Sequence, residues 1–268
     1  MLLVTIVNGA HPDGLVALGV LAAVLFARER PVLAGIFLGA SALVKINALL
    51  PAAVLVAWLL LRAEKRKGMI TAVATGVLVV AGYAVAGGTA ALKPLHTASE
   101  YVSFHSFWYP LERLVASLFD LHGDYQARFA LVALIVVVVL ALAVAAGRGR
   151  DPQGPAAVVA AALAVYALAA PYVLPWYTAP AIVMVALYPR ARITWMINAY
   201  GILLHLLYSE PFPAHHTFLG LILPEAARNI LPVVQVLMLF VIAYGAWRSH
   251  DATTEAGQGL DRMRSGAK

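Results

Sequence analysis

Long apolar runs dominate the chain, and short clusters of Lys and Arg separate them. The runs lie at about 13–27, 31–44, 48–61, 69–88, 127–146, 156–173, 176–188, 193–209 and 229–247. A helix needs roughly 20 apolar residues to cross a bilayer, and several of these runs are shorter than that. The pattern predicts an all-α polytopic membrane protein with about nine transmembrane helices, several of them short.

One run, 31–62, is too long for one crossing and too short for two full ones. Basic residues flank it on both sides, so both of its ends are predicted to be cytoplasmic and the run must turn back. Each arm of roughly 15 residues rises only about 22 Å, less than the ~30 Å hydrocarbon core. The turn, Lys45-Ile46-Asn47, is therefore predicted to lie below the outer membrane surface. A charge is tolerated there only if it faces protein or a wet cavity.

The distribution of positive charge gives the orientation. Of the 19 Lys and Arg residues, 14 fall on one side, and the other five are Lys45, Lys93, Arg113, Arg128 and Arg228. The rule that positive loops stay inside predicts an external N-terminus and a cytoplasmic C-terminus. The transmembrane domain is predicted to cover 1–250, with long external loops at about 89–126 and 210–228. The polar tail 251–268 is predicted to be a disordered cytoplasmic segment.

Composition agrees with a membrane protein and limits the alternatives. The 268 residues are 62% hydrophobic and only 12% charged, and the mean hydropathy is +0.85. Soluble domains carry about 25% charged residues. The net charge of +6 does not indicate nucleic-acid binding, because the positive residues fall in short loops. The absence of cysteine excludes disulfides and thiolate metal sites.

Two polar groups are candidates near the beginning of the chain. His11 and Asp13 precede the first apolar run, where a carboxylate could act as general base or hold a substrate hydroxyl. Alternatively, Asp13 caps the first helix and Pro12 shapes its start.

Lys45 has two interpretations as well. Its ammonium could bind an anion carried by a lipid, most simply a phosphate, or it could snorkel to the outer interface. A desolvated lysine costs about 2.5–3.5 kcal/mol on insertion scales, which favours a functional role. Asn47 could share that site or cap the following helix.

Prolines break the apolar segment around 171–180. The residue before each proline is pushed toward extended geometry, so a helix is predicted to end here. The pair Trp176 and Tyr177 would then lie at the mouth of a cavity, where aromatic faces suit sugar rings and isoprenoid chains. The alternative is an ordinary aromatic belt at the membrane surface.

The remaining candidates are external histidines. His105 belongs to a stretch with aromatic residues every three to four positions, interrupted by Pro110, which suggests short interfacial helices. His205 lies at the outer end of a predicted helix and could contact a phosphate. The pair His215-His216 lacks the spacing of a metal site, so no metal is predicted.

These residues together resemble a known superfamily. The features are His-Pro-Asp before a helix, the run LAGIFLGA at 33–40, VKINA at 44–48 and VLPWY at 173–177. They resemble integral-membrane glycosyltransferases of the GT-C superfamily. The likeness is greatest to bacterial polyprenyl-phosphate-mannose-dependent mannosyltransferases of actinobacterial envelope synthesis, and it covers roughly 1–247.

The resemblance implies an inverting transfer in the outer leaflet of the plasma membrane. A hexosyl group, in these relatives mannosyl, would pass from a polyprenyl-phosphate donor to a cell-envelope glycan or glycolipid acceptor. It implies no cofactor besides that lipid-linked donor. Lys45, Asn47 and His205 would bind the donor phosphate, and Lys45 would neutralise it as it leaves. Asp13 would act in catalysis, and substrate contacts would come from His11, His105, Trp176 and Tyr177.

One departure from the superfamily opens alternatives. Relatives usually begin with further helices and an external loop that carries the catalytic aspartate, whereas seven residues precede Asn8 here. We therefore expect an N-terminally incomplete sequence, in which Asp13 would have to substitute, or an inactive membrane fragment. A lipid or solute transporter would also explain short helices and a buried lysine. Polar residues on both faces would support the transporter, but here they collect on one.

Overall fold

Helices make up all the regular structure that the chain shows where it is described. The computed structural model describes residues 11–62, 64–92, 101–121, 125–147, 154–208 and 229–245. In chain order the helices are α1 (Asp13–Phe26), α2 (Pro31–Val44), α3 (Leu49–Leu61), α4 (Lys65–Val85), α5 (Trp108–Phe119), α6 (Tyr125–Gly147), α7 (Pro155–Ala169), α8 (Ala179–Val185), α9 (Arg192–Tyr208) and α10 (Asn229–Gly245). Short 3₁₀ turns cover Ile46–Ala48, Gly88–Leu92 and Pro175–Thr178. The prediction of an all-α chain is confirmed.

Each predicted apolar run contains one of these helices. Among the described residues, α4 and α6 are long and apolar enough to cross a bilayer by themselves, and the other apolar helices are shorter. The chain is a membrane protein, whereas the count of nine crossings and the external N-terminus stay predictions. The predicted loop 210–228 and the predicted tail 251–268 lie outside the described residues.

Helix α7 forms the centre of the bundle. Its sequence is almost entirely Ala, Val and Leu, and 12 of its 15 residues are buried. A helix that is apolar all round must be covered on every side, and α3, α6 and α8 pack against it. The core continues through Leu38, Leu55 and Tyr200, which are fully buried.

Helices α2 and α4 approach each other closely because glycines face the contact. A Cβ atom added at Gly35 would lie 2.5 Å from the Cβ of Ala74. The hydroxyl of Thr75 donates to the carbonyl oxygen of Gly35 at 3.2 Å. Gly35 and Gly39 form the small-residue spacing that lets membrane helices pack backbone to backbone.

The run 31–62 breaks where the sequence predicted. Helix α2 ends at Val44, and Lys45 adopts an extended conformation with φ −156° and ψ 120°. Its amide still donates to the carbonyl oxygen of Ser41 at 2.9 Å. The 3₁₀ turn that follows leads into α3 without a side-chain cap, so Asn47 does not cap that helix.

The proline break also lies where it was predicted. Helix α7 ends at Ala169, and both Ala170 and Leu174, each of which precedes a proline, have extended ψ angles of 136° and 149°. The prediction for the preceding external segment was partly wrong. Residues 101–107 contain no helix, and Pro110 lies in the first turn of α5, where its missing N–H costs no hydrogen bond.

Candidate functional site

A buried ion pair joins the start of α1 to the turn after α2. The Nζ atom of Lys45 lies 2.7 Å from the Oδ1 atom of Asp13. The Asp13 side chain is 1% exposed and that of Lys45 is 22% exposed. The Oδ2 atom of Asp13 is buried without a hydrogen-bond partner among the described residues. Asp13 therefore acts as the counter-ion of Lys45, and Lys45 does not snorkel out to water.

The two aromatic residues Trp176 and Tyr177 pack against His11 and Lys45. The Lys45 ammonium lies 3.6 Å from the centroid of the Tyr177 ring, a cation–π contact. The Trp176 indole stacks on the His11 imidazole with centroids 3.6 Å apart and planes 13° apart. The 3₁₀ turn at the proline break thus presents one ring to Lys45 and the other to His11. Its short, tight geometry is what places adjacent side chains on these two partners.

Lys45 opens into a cavity of about 160 Å³. We call it the Lys45 cavity. Its lining combines one cation, one amide and four phenol rings with an apolar wall: Lys45, Ile46, Asn47, Tyr101, Ala130, Leu134, Tyr166, Ala170, Pro171, Tyr172 and Tyr177. Three of the rings form a row, because Tyr172 lies 6.4 Å from Tyr101 and 6.2 Å from Tyr177. Such a lining can hold an anion beside Lys45 and stack flat faces along the tyrosines.

Segment 101–108 reaches this cavity because it is hydrogen-bonded to the broken end of α7. The Trp108 indole donates to the carbonyl oxygen of Ala169 at 2.6 Å, and the Ser106 hydroxyl donates to that of Ala170 at 3.1 Å. The Ser103 amide donates to the carbonyl oxygen of Pro171 at 2.8 Å. The last carbonyls of a helix have no intrahelical partner, and this segment supplies the donors. Tyr101 is held at the cavity by the same bonds.

A second anchor lies on the other side of the segment. Gln235 of α10 is fully buried, and its Oε1 atom accepts from the Phe107 amide at 2.8 Å. Its Nε2 atom donates to the Tyr200 hydroxyl at 2.7 Å. The Gln235 side chain therefore connects α9, α10 and segment 101–108.

The structure brings together six of the eight predicted site residues. Lys45, Asn47 and Tyr177 line the Lys45 cavity. Asp13 contacts Lys45 from outside that lining, while His11 and Trp176 stack beside it. Asp13 makes no side-chain bond to the first turn of α1, so the alternative that it caps the helix is wrong.

His105 and His205 lie elsewhere among the described residues. His105 is buried against the ring of Phe104, with centroids 3.9 Å apart. His205 is buried within α9, where its Nδ1 atom pairs with the carbonyl oxygen of Gly201 at 2.8 Å. Neither lines the Lys45 cavity. The prediction that His205 binds the donor phosphate therefore has no support from the position of His205.

Sequence reasoning missed three tyrosines of the lining, Tyr101, Tyr166 and Tyr172. Tyr166 is the clearest omission, since it interrupts a helix of Ala, Val and Leu and lies next to the Asn47 side chain. A polar group inside such a helix was the available signal. Tyr101 resembled a belt residue, because only the docking of segment 101–108 brings it to the cavity, and Tyr172 lies in the proline break beside it.

The fold and the site define a class of protein: an integral-membrane protein with a partly buried cation beside an aromatic cavity. A family model, described as glycosyltransferase family 87, matches residues 3–175, more than half of the chain. The chain belongs to glycosyltransferase family 87. The match includes both members of the ion pair and the first part of the proline break, and it ends at Pro175, before Trp176 and Tyr177. No curated protein and no solved structure gives a significant match.

Proposed function

We propose that this protein transfers a hexosyl group, specifically mannosyl, from a polyprenyl-phosphate donor to an envelope glycan or glycolipid. The transfer takes place at the outer face of the plasma membrane. Membership of glycosyltransferase family 87 supports sugar transfer over transport of a lipid or solute. One observation supports a polyprenyl-phosphate donor: the ammonium of Lys45 lines a cavity whose other walls are aromatic and apolar groups.

Lys45 can bind a phosphate without leaving Asp13. An ammonium has three N–H donors. One points to the Oδ1 atom of Asp13, and the ring face of Tyr177 covers another side of the group. Because Lys45 also lines the cavity, the remaining direction is available to a phosphate oxygen. A charge-assisted bond in such a low-dielectric site is stronger than one in water.

Asp13 holds Lys45 in place in this proposal. Its side chain is 1% exposed and is not part of the cavity lining, so an acceptor hydroxyl in the cavity does not reach it. Its carboxylate accepts a hydrogen bond from the ammonium and thereby fixes the direction of the Lys45 side chain. We therefore propose Asp13 as a positioning residue, although the sequence suggested a catalytic one.

The rest of the lining suits a sugar carried on an isoprenoid. Tyr101, Tyr172 and Tyr177 offer flat faces to a pyranose ring. Ala130 and Leu134 contribute the wall from α6, and exposed residues such as Leu131 and Ile135 lie beside them on the same helix. In a membrane those exposed residues face lipid, so a polyprenyl chain has a short path along α6 into the cavity.

The reaction breaks the bond between the anomeric carbon and the phosphate oxygen and forms a bond from that carbon to an acceptor oxygen. The phosphate leaves with the bonding electron pair, and its growing charge is stabilised by Lys45. The acceptor hydroxyl loses its proton to a base. Among the described residues of the lining there is no carboxylate, so the base lies outside that lining.

Transfer in isolated membranes tests the proposal. Membranes that contain the protein receive radiolabelled polyprenyl-phosphate mannose, and labelled glycan or glycolipid is counted per unit of protein. We expect Lys45→Met to lower transfer by about 10²- to 10³-fold, since removal of one such electrostatic group has that effect. A nucleotide sugar should not replace the lipid-linked donor.

Two variants make the result specific. Lys65→Ala removes a lysine at the start of α4, away from the cavity lining, and should leave transfer unchanged. Lys45→Arg keeps the charge with a different shape and should retain part of the activity. Full transfer by Lys45→Met at normal protein level would rule out Lys45 as the phosphate ligand.

A further inference from the structure

A second cavity lies at the other end of α7. Its volume is about 390 Å³, and it opens between α7, α9 and α10. We call it the Arg192 cavity. Ala157, Ala160 and Ala161 line it, whereas Tyr166 and Ala170 line the Lys45 cavity. These two groups are about nine residues apart along the helix, or roughly 14 Å at 1.5 Å per residue. The two cavities therefore face opposite ends of the bundle.

The Arg192 cavity has one charged group at its rim. Arg192 is the first residue of α9 and is exposed. The ion pairs among the described residues join other groups, so no carboxylate in that part of the chain neutralises it. A guanidinium presents parallel N–H groups that match two phosphate oxygens.

The walls of the cavity are apolar and concave. Small alanine side chains on α7 leave the space, and Val241 and Ile242 of α10 close the opposite side. A free phosphate ion gains nothing from such walls, whereas an acyl chain does. An arginine at the rim with an apolar cleft below it therefore matches a lipid that carries a phosphate.

The aromatic residues place this end of the bundle at headgroup level. Tyr188 and Tyr244 line the cavity, and Trp195 in the first turn of α9 is 72% exposed. Trp and Tyr collect where the acyl chains of a bilayer meet its headgroups. Basic pockets between membrane helices bind anionic headgroups at this depth.

We propose that the Arg192 cavity binds an anionic phospholipid, with the phosphate on Arg192 and an acyl chain between α7 and α10. The site lies in the leaflet opposite the Lys45 cavity. It is independent of the transfer reaction, because no residue lines both cavities. The bound lipid would fill the gap between three helices and stabilise their packing.

Native mass spectrometry of the full chain in detergent tests the site. Phosphatidylglycerol and phosphatidylcholine are titrated separately, and the lipid-bound fraction is measured. We expect phosphatidylglycerol to bind the wild-type protein at least about 10-fold more tightly than phosphatidylcholine, and Arg192→Ala to lose most of that difference. A 10-fold change corresponds to about 1.4 kcal/mol.

Matched variants distinguish lipid binding at the Arg192 cavity from lipid binding to any exposed positive charge. Arg190→Ala removes an exposed arginine two residues away that does not line the cavity, and it should bind phosphatidylglycerol like the wild type. Ala160→Leu fills the cleft but keeps every charge, and it should weaken phosphatidylglycerol binding. Lys45→Met should leave that binding unchanged, so a failed donor assignment would not affect this result.

Three outcomes would overturn the proposal. Equal losses in Arg190→Ala and Arg192→Ala would show binding to surface charge alone. Displacement of the lipid by inorganic phosphate at equal concentration would show a free-anion site. Unchanged binding in Ala160→Leu, with the helical circular dichroism of the wild type, would show that no acyl chain enters the cleft.

Discussion

Lys45 and Asp13 are 32 positions apart in the chain, and the Nζ atom of Lys45 lies 2.7 Å from the Oδ1 atom of Asp13. The pair links α1 to the turn after α2, directly beside the proline break. A buried pair is costly to break, because removal of one partner leaves an uncompensated charge, whereas replacement of both partners by apolar groups is often neutral.

The double replacement of this pair should therefore destabilise the protein much less than either single replacement. We expect Asp13→Leu or Lys45→Met alone to lower the free energy of unfolding by on the order of 2–3 kcal/mol. This is less than the 3–5 kcal/mol of a wholly buried pair because Lys45 is 22% exposed. The double variant Asp13→Leu/Lys45→Met should recover most of the loss. Denaturant unfolding in detergent measures all of them.

The same double variant separates stability from function. It should be folded and inactive in transfer from polyprenyl-phosphate mannose, because the phosphate ligand is gone. Asp13→Glu keeps the charge and should retain more transfer than Asp13→Asn. If the loss of stability in the double variant equalled the sum of the losses in the two single variants, Asp13 and Lys45 would not be coupled, and the prediction would be wrong.

The hydrogen bond from Trp108 to the end of α7 should hold segment 101–108 in its docked position. Trp108→Phe keeps the ring but loses the donor to the carbonyl oxygen of Ala169, at a cost of about 1–3 kcal/mol because that buried acceptor is left unsatisfied. We expect faster hydrogen exchange at the Ser103 amide and a higher KM for the donor, because Tyr101 lines the cavity. Hydrogen exchange by mass spectrometry follows the segment.

A second tryptophan serves as the control. Trp195 is 72% exposed, and Trp195→Phe should change neither the exchange of residues 101–108 nor the KM for the donor. Equal exchange in wild type and Trp108→Phe would mean that the other anchors, those of Ser106 and Gln235, are sufficient on their own.

The sequence predicted the helices and both breaks because each depends on local chemistry. Apolar runs of sufficient length form helices in lipid, a charge in the middle of a run favours a turn there, and prolines at 171, 175 and 180 end a helix. Lys45 was identifiable on these grounds alone. The contacts of Trp176 with His11 and of Tyr177 with Lys45 could not be predicted, although the sequence indicated all four residues as candidates.

What could not be predicted depends on contacts between distant segments. Asp13 meets Lys45 only because α1 packs on α2, and Tyr101 enters the cavity only because segment 101–108 bonds to the end of α7. Helix α7 is apolar on all sides, so no periodicity marks the face that carries Tyr166. His105 and His205 were predicted to be site residues, but neither of them lines the Lys45 cavity.

Glu64 should give the unfolding a small pH dependence. It accepts from Lys67 Nζ at 2.7 Å and from Arg28 Nε at 3.3 Å. The hydrogen bond from Lys67, together with the charges of Lys67 and Arg28, lowers the pKa of Glu64 below its ordinary value of 4.5. The stabilisation is thus complete above pH 4.5 and is lost as the pH falls through the lowered pKa.

The free energy of unfolding in detergent, measured from about pH 6 to about pH 3, tests whether this stabilisation is lost as the pH falls. Wild type should lose about 0.2–1 kcal/mol more than Glu64→Gln, the range for a pair near the surface. Glu29→Gln is the control, because Glu29 is exposed and forms no ion pair among the described residues. A pH profile of Glu64→Gln identical to that of wild type would show that the two cations do not act on this carboxylate.

Gly35 and Gly76 should respond in opposite directions to the same substitution. A Cβ atom at Gly35 would lie 2.5 Å from the Cβ of Ala74 and 2.7 Å from the carbonyl oxygen of Thr71, whereas nothing lies within 4 Å of a Cβ at Gly76. Gly35→Ala must therefore push α2 away from α4 and should lower the free energy of unfolding by roughly 1–3 kcal/mol. Gly76→Ala gains helix propensity of up to about 1 kcal/mol and should be neutral or stabilising. Thermal unfolding in detergent gives both values, and destabilisation of similar size at both positions would contradict the close approach of α2 and α4 at Gly35.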